Sequence, residues 1–251
     1  MESMCGRYAV TTDPARLAAE IDAVNEIPDE TVRESYNVAP TTTVMTVVTR
    51  HEHGSPDDAA VRRVRAMRWG LVPSWTKELG KGPLLFNARA ETLADKPAFR
   101  GSLPGKRALI PMDGWYEWKP GPPGANGKPT KIPFYMSPAD GTRLFMGGLW
   151  AAWRPAQARA AGDDSQWVSS TTIITTDAVG PLQDVHHRMP LIMPVEYWDA
   201  WLDPDHAVDP ALLAPPDLAL AEAIEIREVS PLVNRVANNG PELLEPAINM
   251  R

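Results

Sequence analysis

Short stretches rich in Val, Ile, Thr and aromatic residues recur along this 251-residue chain, each bounded by Pro or Gly: residues 43–49, 61–69, 108–110, 115–118, 132–136, 144–153, 167–176 and 191–193. Residues of these types fit a pleated, half-buried surface, so the stretches read as strands. Helical signals are sparse. Asp13-Pro14 supplies an N-cap and a first-turn proline, with Leu17, Ile21 and Val24 following at helical spacing. Residues 196–201, opened by Pro194, and 210–213 have helical character. Strands do not alternate with helices, so a βαβ architecture is excluded. The pattern predicts an α+β domain built on antiparallel sheet. Three polar stretches, 52–59, 121–131 and 155–166, read as surface loops. None is long enough to mark a boundary, so one domain over residues 1–251 is expected.

Charge narrows the function. The formal net charge of −7 argues against a generic nucleic-acid coat protein. The charge is segregated, however: between Glu196 and Glu228 the only Lys or Arg is Arg227, while arginines recur inside the motifs below. No run of about 18 apolar residues could span a membrane, and the N-terminus lacks a signal-peptide pattern. Together with a single cysteine, this reads as a cytoplasmic protein.

That cysteine, Cys5, cannot form an internal disulfide or build a cysteine-rich zinc site alone, and no metal or cofactor is expected. A free cysteine near a terminus is ordinarily a small buried hydrophobe. If the residues before it are removed, its thiol and α-amine become a 1,2-aminothiol, with reference pKa values of about 8.5 and about 7.7–8.0. Around it the sequence offers Cys5-Gly6-Arg7-Tyr8, Asn37-Val38-Ala39-Pro40-Thr41, Arg68-Trp69-Gly70-Leu71-Val72-Pro73-Ser74-Trp75, Phe86-Asn87-Ala88-Arg89-Ala90-Glu91-Thr92, Gly114-Trp115-Tyr116-Glu117-Trp118 and His186-His187-Arg188-Met189-Pro190. These supply a nucleophile, an amide, a carboxylate, an imidazole and several guanidiniums, an inventory for acid–base and covalent chemistry on an anionic substrate.

In this order the six segments resemble the SOS response-associated peptidase (SRAP) family of abasic-site processing proteins, from Cys5 to about Pro246. The resemblance implies a curved, largely antiparallel β-sheet or barrel-like core flanked by short helices, with a positively charged groove. It also implies capture of abasic sites in single-stranded DNA as a covalent crosslink, shielding them during replication or the damage response. A ring-opened abasic sugar presents an aldehyde; an N-terminal cysteine can attack it through its amine and close a thiazolidine through its thiol. The second step is effectively intramolecular.

On that reading Glu117, between Tyr116 and Trp118, is the general acid/base, its pKa raised by aromatic neighbours; otherwise it is a solvated strand carboxylate. His186 matches the family histidine and would protonate the sugar oxygen. His187 stands where other members often carry aspartate, so no role passes to it. Asn87 would hold the terminal amine. Arg7, Arg89 and Arg188 suit phosphate contact, with Arg68 weaker and Pro40 placed beside the DNA. Trp69 and Trp118 would stack unpaired bases, whereas Trp150, Trp153 and Trp198 are expected in the core. The expected partner is single-stranded DNA with abasic sites, bound by a nucleoid-associated monomer.

The sequence departs from the family at its start, where Met-Glu-Ser-Met precedes Cys5. Either translation begins at Met4, the favoured reading, or residues 1–4 are clipped. Two alternatives stay open: a cysteine peptidase with Cys5 as nucleophile and His186 as base, and a non-covalent damaged-DNA binding module.

Overall fold

The computed structural model describes residues 5–52, 55–124 and 127–247, so the extension before Cys5 lies outside the described residues. In chain order the elements are β1 (Tyr8–Val10), α1 (Pro14–Glu20), β2 (Val24–Asn25), β3 (Ser35–Val38), β4 (Thr43–His51), β5 (Ala60–Trp69), β6 (Asn87–Arg89), α2 (Pro97–Arg100), β7 (Arg107–Met112), β8 (Gly114–Pro123), β9 (Pro129–Pro138), β10 (Leu144–Trp153), α3 (Ala156–Ala160), β11 (Val168–Asp177), β12 (Arg188–Pro190), α4 (Trp198–Leu202), α5 (Leu218–Glu222) and β13 (Ile224–Glu228).

Two sheets result. One runs β13-β9-β8-β1-β3 and is antiparallel throughout. The other runs β12-β11-β10-β7-β4-β5-β2, with β6 beside β11. Its β11 also pairs in parallel with β5, Ser170 opposite Arg68 and Thr171 opposite Trp69. That pairing closes the circuit β11-β10-β7-β4-β5, so the expected curved, barrel-like core is present. Closure leaves β7 buried along its whole length, flanked by β10 and β4.

Local chemistry explains most elements. Asp13 caps α1 through its side chain, which accepts from Arg16 N at 2.8 Å, with proline at the first turn. Arg107, inside buried β7, is tolerated because its guanidinium donates to the carbonyls of Trp201, Leu103 and His206. This ties α4 to the sheet. Residues 121–131, expected as loop, are largely hairpin, because β8 reaches Pro123 and β9 begins at Pro129. The prolines fall where the pairing register shifts between Pro120 and Pro123, a place where missing N–H donors cost little. Residues 155–166 likewise contain a short helix, α3.

Two features of this frame set the site. First, β1 pairs with β8, Tyr8 opposite Trp115, and Tyr116 N donates to Arg7 O at 3.0 Å. Continuing that register lays Gly6 opposite Glu117. Second, Gly114 permits this packing. A β-carbon there would meet Met136 O at 2.4 Å, so the first residue of G-W-Y-E-W must be glycine. The ring of Tyr8 then packs on Trp69, 5.3 Å between centroids, joining the small sheet to the barrel.

Candidate active site at the Cys5–Glu117 couple

Cys5 is buried, 3% exposed, and its backbone N–H donates to Glu117 Oε1 at 2.7 Å. Its backbone sits at φ +35°, a region that residues with a β-carbon rarely adopt. Burial pushes the Cys5 thiol well up; the Glu117 charge and a hydrogen bond to that carboxylate add to this, and Arg188 opposes it. The thiol is therefore held as S–H. Glu117 is itself buried, 1% exposed, and burial raises its carboxyl to about 7 despite the lowering effect of its hydrogen bonds from Cys5. A carboxyl with a pKa near neutrality can both give and take a proton at physiological pH.

Glu117 lines a cavity of about 820 Å³, together with Gly6 next to Cys5 and, among others, Arg7, Trp118, Lys131, His186 and Asn234. Arg7 Nη1 donates to Asn37 Oδ1 and to Val233 O, each at 2.8 Å. Asn37 in turn donates to the carbonyls of Val233, Arg235 and Asn238. The asparagine of N-V-A-P-T thus fastens residues 233–238 behind the cavity wall. Trp118 is half-buried and its indole donates to Asn234 Oδ1 at 2.7 Å, which fixes the ring plane. His186 is half-buried beside His187, with 4.4 Å between ring centroids, and its Nδ1 accepts from Arg188 N at 3.1 Å.

Asn87 reaches Cys5 through β6, which lies beside Ile173 of β11. Its Nδ2 contacts Cys5 O at 3.5 Å, so it bears on the carbonyl side of Cys5 rather than on its nitrogen. Arg89 is exposed next to it. Pro40 is half-buried and precedes Thr41, which stands at φ +77°. Arg68 is half-buried and donates to Gly70 O at 3.0 Å.

Two expectations are corrected. Trp69 is 0% exposed, sealed between Tyr8 and Phe86 with its indole donating to Phe86 O, so it has no face to offer a base. Arg188 is 5% exposed and already committed: it bonds Glu91 through both Nη atoms, and also Asp177 and Thr175 O. It braces β12 against β11 and lends positive charge to Cys5 from behind. Arg188→Ala should therefore lower stability, by roughly 1–3 kcal/mol through the stranded Thr175 carbonyl and lost charge-assisted bonds, measured by denaturant unfolding.

Trp150 and Trp153 are buried as expected, and half-buried Trp198 packs on Phe145. The sequence reading passed over Trp75, which is 60% exposed; its polar setting, Pro73-Ser74-Trp75-Thr76-Lys77-Glu78, was the available signal. Lys131, Gln183 and Asn234 were also missed, because they reach the cavity from distant segments that carry no motif.

The raised Glu117 carboxyl has a stability consequence while a residue precedes Cys5. A carboxyl raised from 4.5 to about 7 favours the fold when protonated. That contribution is complete below about 4.5 and is lost as pH rises through about 7. The shift corresponds to about 3 kcal/mol. Glu117→Gln, in a chain retaining its N-terminal residues, should thus be more stable than the unchanged chain at pH 8 and gain nothing at pH 4. Thermal melts at the two pH values check this.

The fold and site define a class: an α+β barrel-like protein carrying a buried cysteine–glutamate couple whose glutamate lines a cavity with aromatic, imidazole and cationic walls. Among the described residues no cluster of His, Cys, Asp and Glu could hold a metal ion, and no helix is long and apolar enough to cross a membrane. A model of the SOS response associated peptidase (SRAP) family matches residues 4–236, and the chain belongs to that family. Abasic site processing protein YoqW of Bacillus subtilis (strain 168) is 35% identical over 246 residues, covering 96% of this chain and 99% of its own. Abasic site processing protein HMCES of Gallus gallus is 33% identical over 271 residues, covering 97% of this chain and 78% of its own. A crystal structure of a Bacteroides thetaiotaomicron protein superposes with a TM-score of 0.76 at 25% identity, covering 97% of this chain and 100% of that one.

Proposed function

We propose that this protein captures abasic sites in single-stranded DNA as a thiazolidine on Cys5. The observation that carries the reading is the 2.7 Å contact between Cys5 N and Glu117 Oε1, with Glu117 lining the cavity. Once Cys5 is N-terminal, that nitrogen is an α-amine beside a buried carboxylate within proton-transfer distance. Glu117 takes a proton from the α-ammonium, and the amine attacks C1′ of the ring-opened sugar. The carbinolamine hydroxyl leaves as water with a proton returned by Glu117. The Cys5 S–H then adds across the C=N bond: sulfur bonds to C1′ and the proton goes to nitrogen. A neutral thiol held beside its own imine needs no prior ionisation in bulk water, since Glu117 accepts its hydrogen bond. In this reading His186, which lines the same cavity, protonates the sugar ring oxygen and opens the ring. Relatives named for abasic-site processing support the substrate.

A cysteine-peptidase reading on other proteins is weaker. Such enzymes use a thiolate made by a neighbouring imidazolium, whereas here burial and Glu117 hold the thiol protonated. Self-cleavage before Cys5 has a specific support. The strained φ of +35° exists only while a residue precedes Cys5, and Glu117 can protonate the departing Cys5 nitrogen. In this reading the peptidase step exposes the amine that the capture step uses.

The test is a denaturing gel of protein mixed with two matched oligonucleotides, one carrying a single abasic site. A heat-stable adduct with the abasic oligonucleotide alone is expected; equal adduct with both, or none, refutes the reading. Exposed Arg89 beside Asn87 should contact phosphate. Arg89→Ala is expected to weaken single-strand binding regardless of sequence and to flatten the salt dependence by about 0.7 in log–log slope.

A further inference from the structure

Across three hydrogen-bonded strands, β7, β4 and β5, the far end of the barrel carries a row of cations outside the Cys5 cavity, with Trp150 of neighbouring β10 against two of them. Trp150 N bonds Lys106 O, and continuing the Val47–Leu109 register puts Arg50 opposite Lys106. Arg50 also stands opposite Val61, with Arg63 and Arg65 following on the same face of β5. Side chains confirm the alignment: the Arg50 guanidinium lies 5.2 Å and the Lys106 ammonium 5.5 Å from the Trp150 ring centroid. Trp150 is buried, so its ring does not receive a ligand; it holds both cations in place.

Glu26 pairs with Arg63 and with Arg65, but Arg50 and Lys106 have no ion pair among the described residues. Arg50 is instead under pressure. Burial, then the guanidiniums of Arg65 and Arg63, make its charge harder to hold, with Glu26 offsetting in part. The row spans about 10 Å across three strands spaced about 4.8 Å apart. Arg63 lies six residues before Trp69, the residue that touches β1, so the row is roughly 20 Å along β5 from the capture site. A single phosphate would require donors converging on a point. Cations strung along a line match a polyanion.

We propose that Arg50, Lys106, Arg63 and Arg65 form a second, sequence-independent contact for the phosphate backbone of a nucleic-acid strand, separate from the cavity that takes the abasic sugar. The surface goes beyond the capture chemistry and does not require it, because phosphate contact needs neither an aldehyde nor Cys5. Its role is to hold flanking strand and lengthen the footprint on DNA.

The test uses fluorescence anisotropy on the full chain with undamaged single strands of two lengths, one filling only the cavity and one several times longer. Lys106→Glu alone and Arg50→Gln with Lys106→Gln are compared with the unchanged protein. Exposed Lys106 should tolerate substitution without loss of the fold, checked by melting. The expected result is at least tenfold weaker binding of the long strand. The log–log salt slope should fall by about 1.4 for the double variant, two single-strand phosphate contacts, with the short strand unaffected. Unchanged affinity and slope on the long strand would overturn the proposal. So would loss of binding to phosphatidylserine vesicles with DNA binding intact, which would assign the row to lipid. Loss of adduct formation in the Cys5 assay alongside a retained length effect would refute the capture reading and leave this surface standing.

Discussion

Replacing Cys5 with alanine is expected to remove the heat-stable adduct completely. Cys5 supplies both bonds of the proposed ring, nitrogen to C1′ and sulfur to C1′, and the remaining terminal amine can form only a Schiff base. That imine hydrolyses on heating, yet borohydride should trap it, so Cys5→Ala separates the first bond from the second. Cys5→Ser can close only an oxazolidine, which should be lost in the same heat step. The cavity and its cations are untouched by either change, so affinity for undamaged strand should hold. A heat-stable product from Cys5→Ala would place the nucleophile elsewhere, on a lysine.

Glu117→Gln is expected to slow capture by about 10²–10⁴-fold while leaving the final product intact. Glutamine keeps the shape and can still accept from the Cys5 nitrogen, but it cannot move a proton. In the chain that retains its N-terminal residues the same substitution should raise stability at pH 8, because it removes a buried carboxyl that must ionise as pH passes about 7. Slower chemistry with a firmer fold is a paired signature that a merely structural carboxyl would not give. It is checked by a single-turnover time course on protein beginning at Cys5 and by melting curves on the chain that retains its N-terminal residues. Capture at the normal rate would remove Glu117 from the mechanism.

How much of this was legible in sequence depends on the range of the interaction. The strands over residues 43–49, 61–69 and 144–153 were readable because β-branched and aromatic runs bounded by Pro or Gly are local signals, and α1 because Asp13 and Pro14 cap it. β6 and β13 were not, because Asn87–Arg89 and Ile224–Glu228 become strands only by pairing with β11 and β9. The closing contact of β11 with β5 joins residues about 100 positions apart, a topology no local pattern encodes. In the site, Cys5 and Glu117 were found through their motifs. The direction of the Glu117 shift followed from its aromatic neighbours. Whether a given Arg or Trp of a motif faces solvent was not readable: Arg89 does and Arg188 does not, although each sits in the middle of its motif. The difference lies in Glu91 and Asp177, which reach Arg188 from other segments.

The central claim is that Cys5 acts as an N-terminal residue through both amine and thiol. Intact-mass spectrometry of active protein, with and without a single-stranded oligonucleotide bearing one abasic site, tests it most directly. The account predicts a protein beginning at Cys5 and an adduct equal to protein plus oligonucleotide less one water, with peptide mapping placing the modification on Cys5. Fully active protein that retains residues 1–4, or an adduct mapped to another side chain, would contradict it.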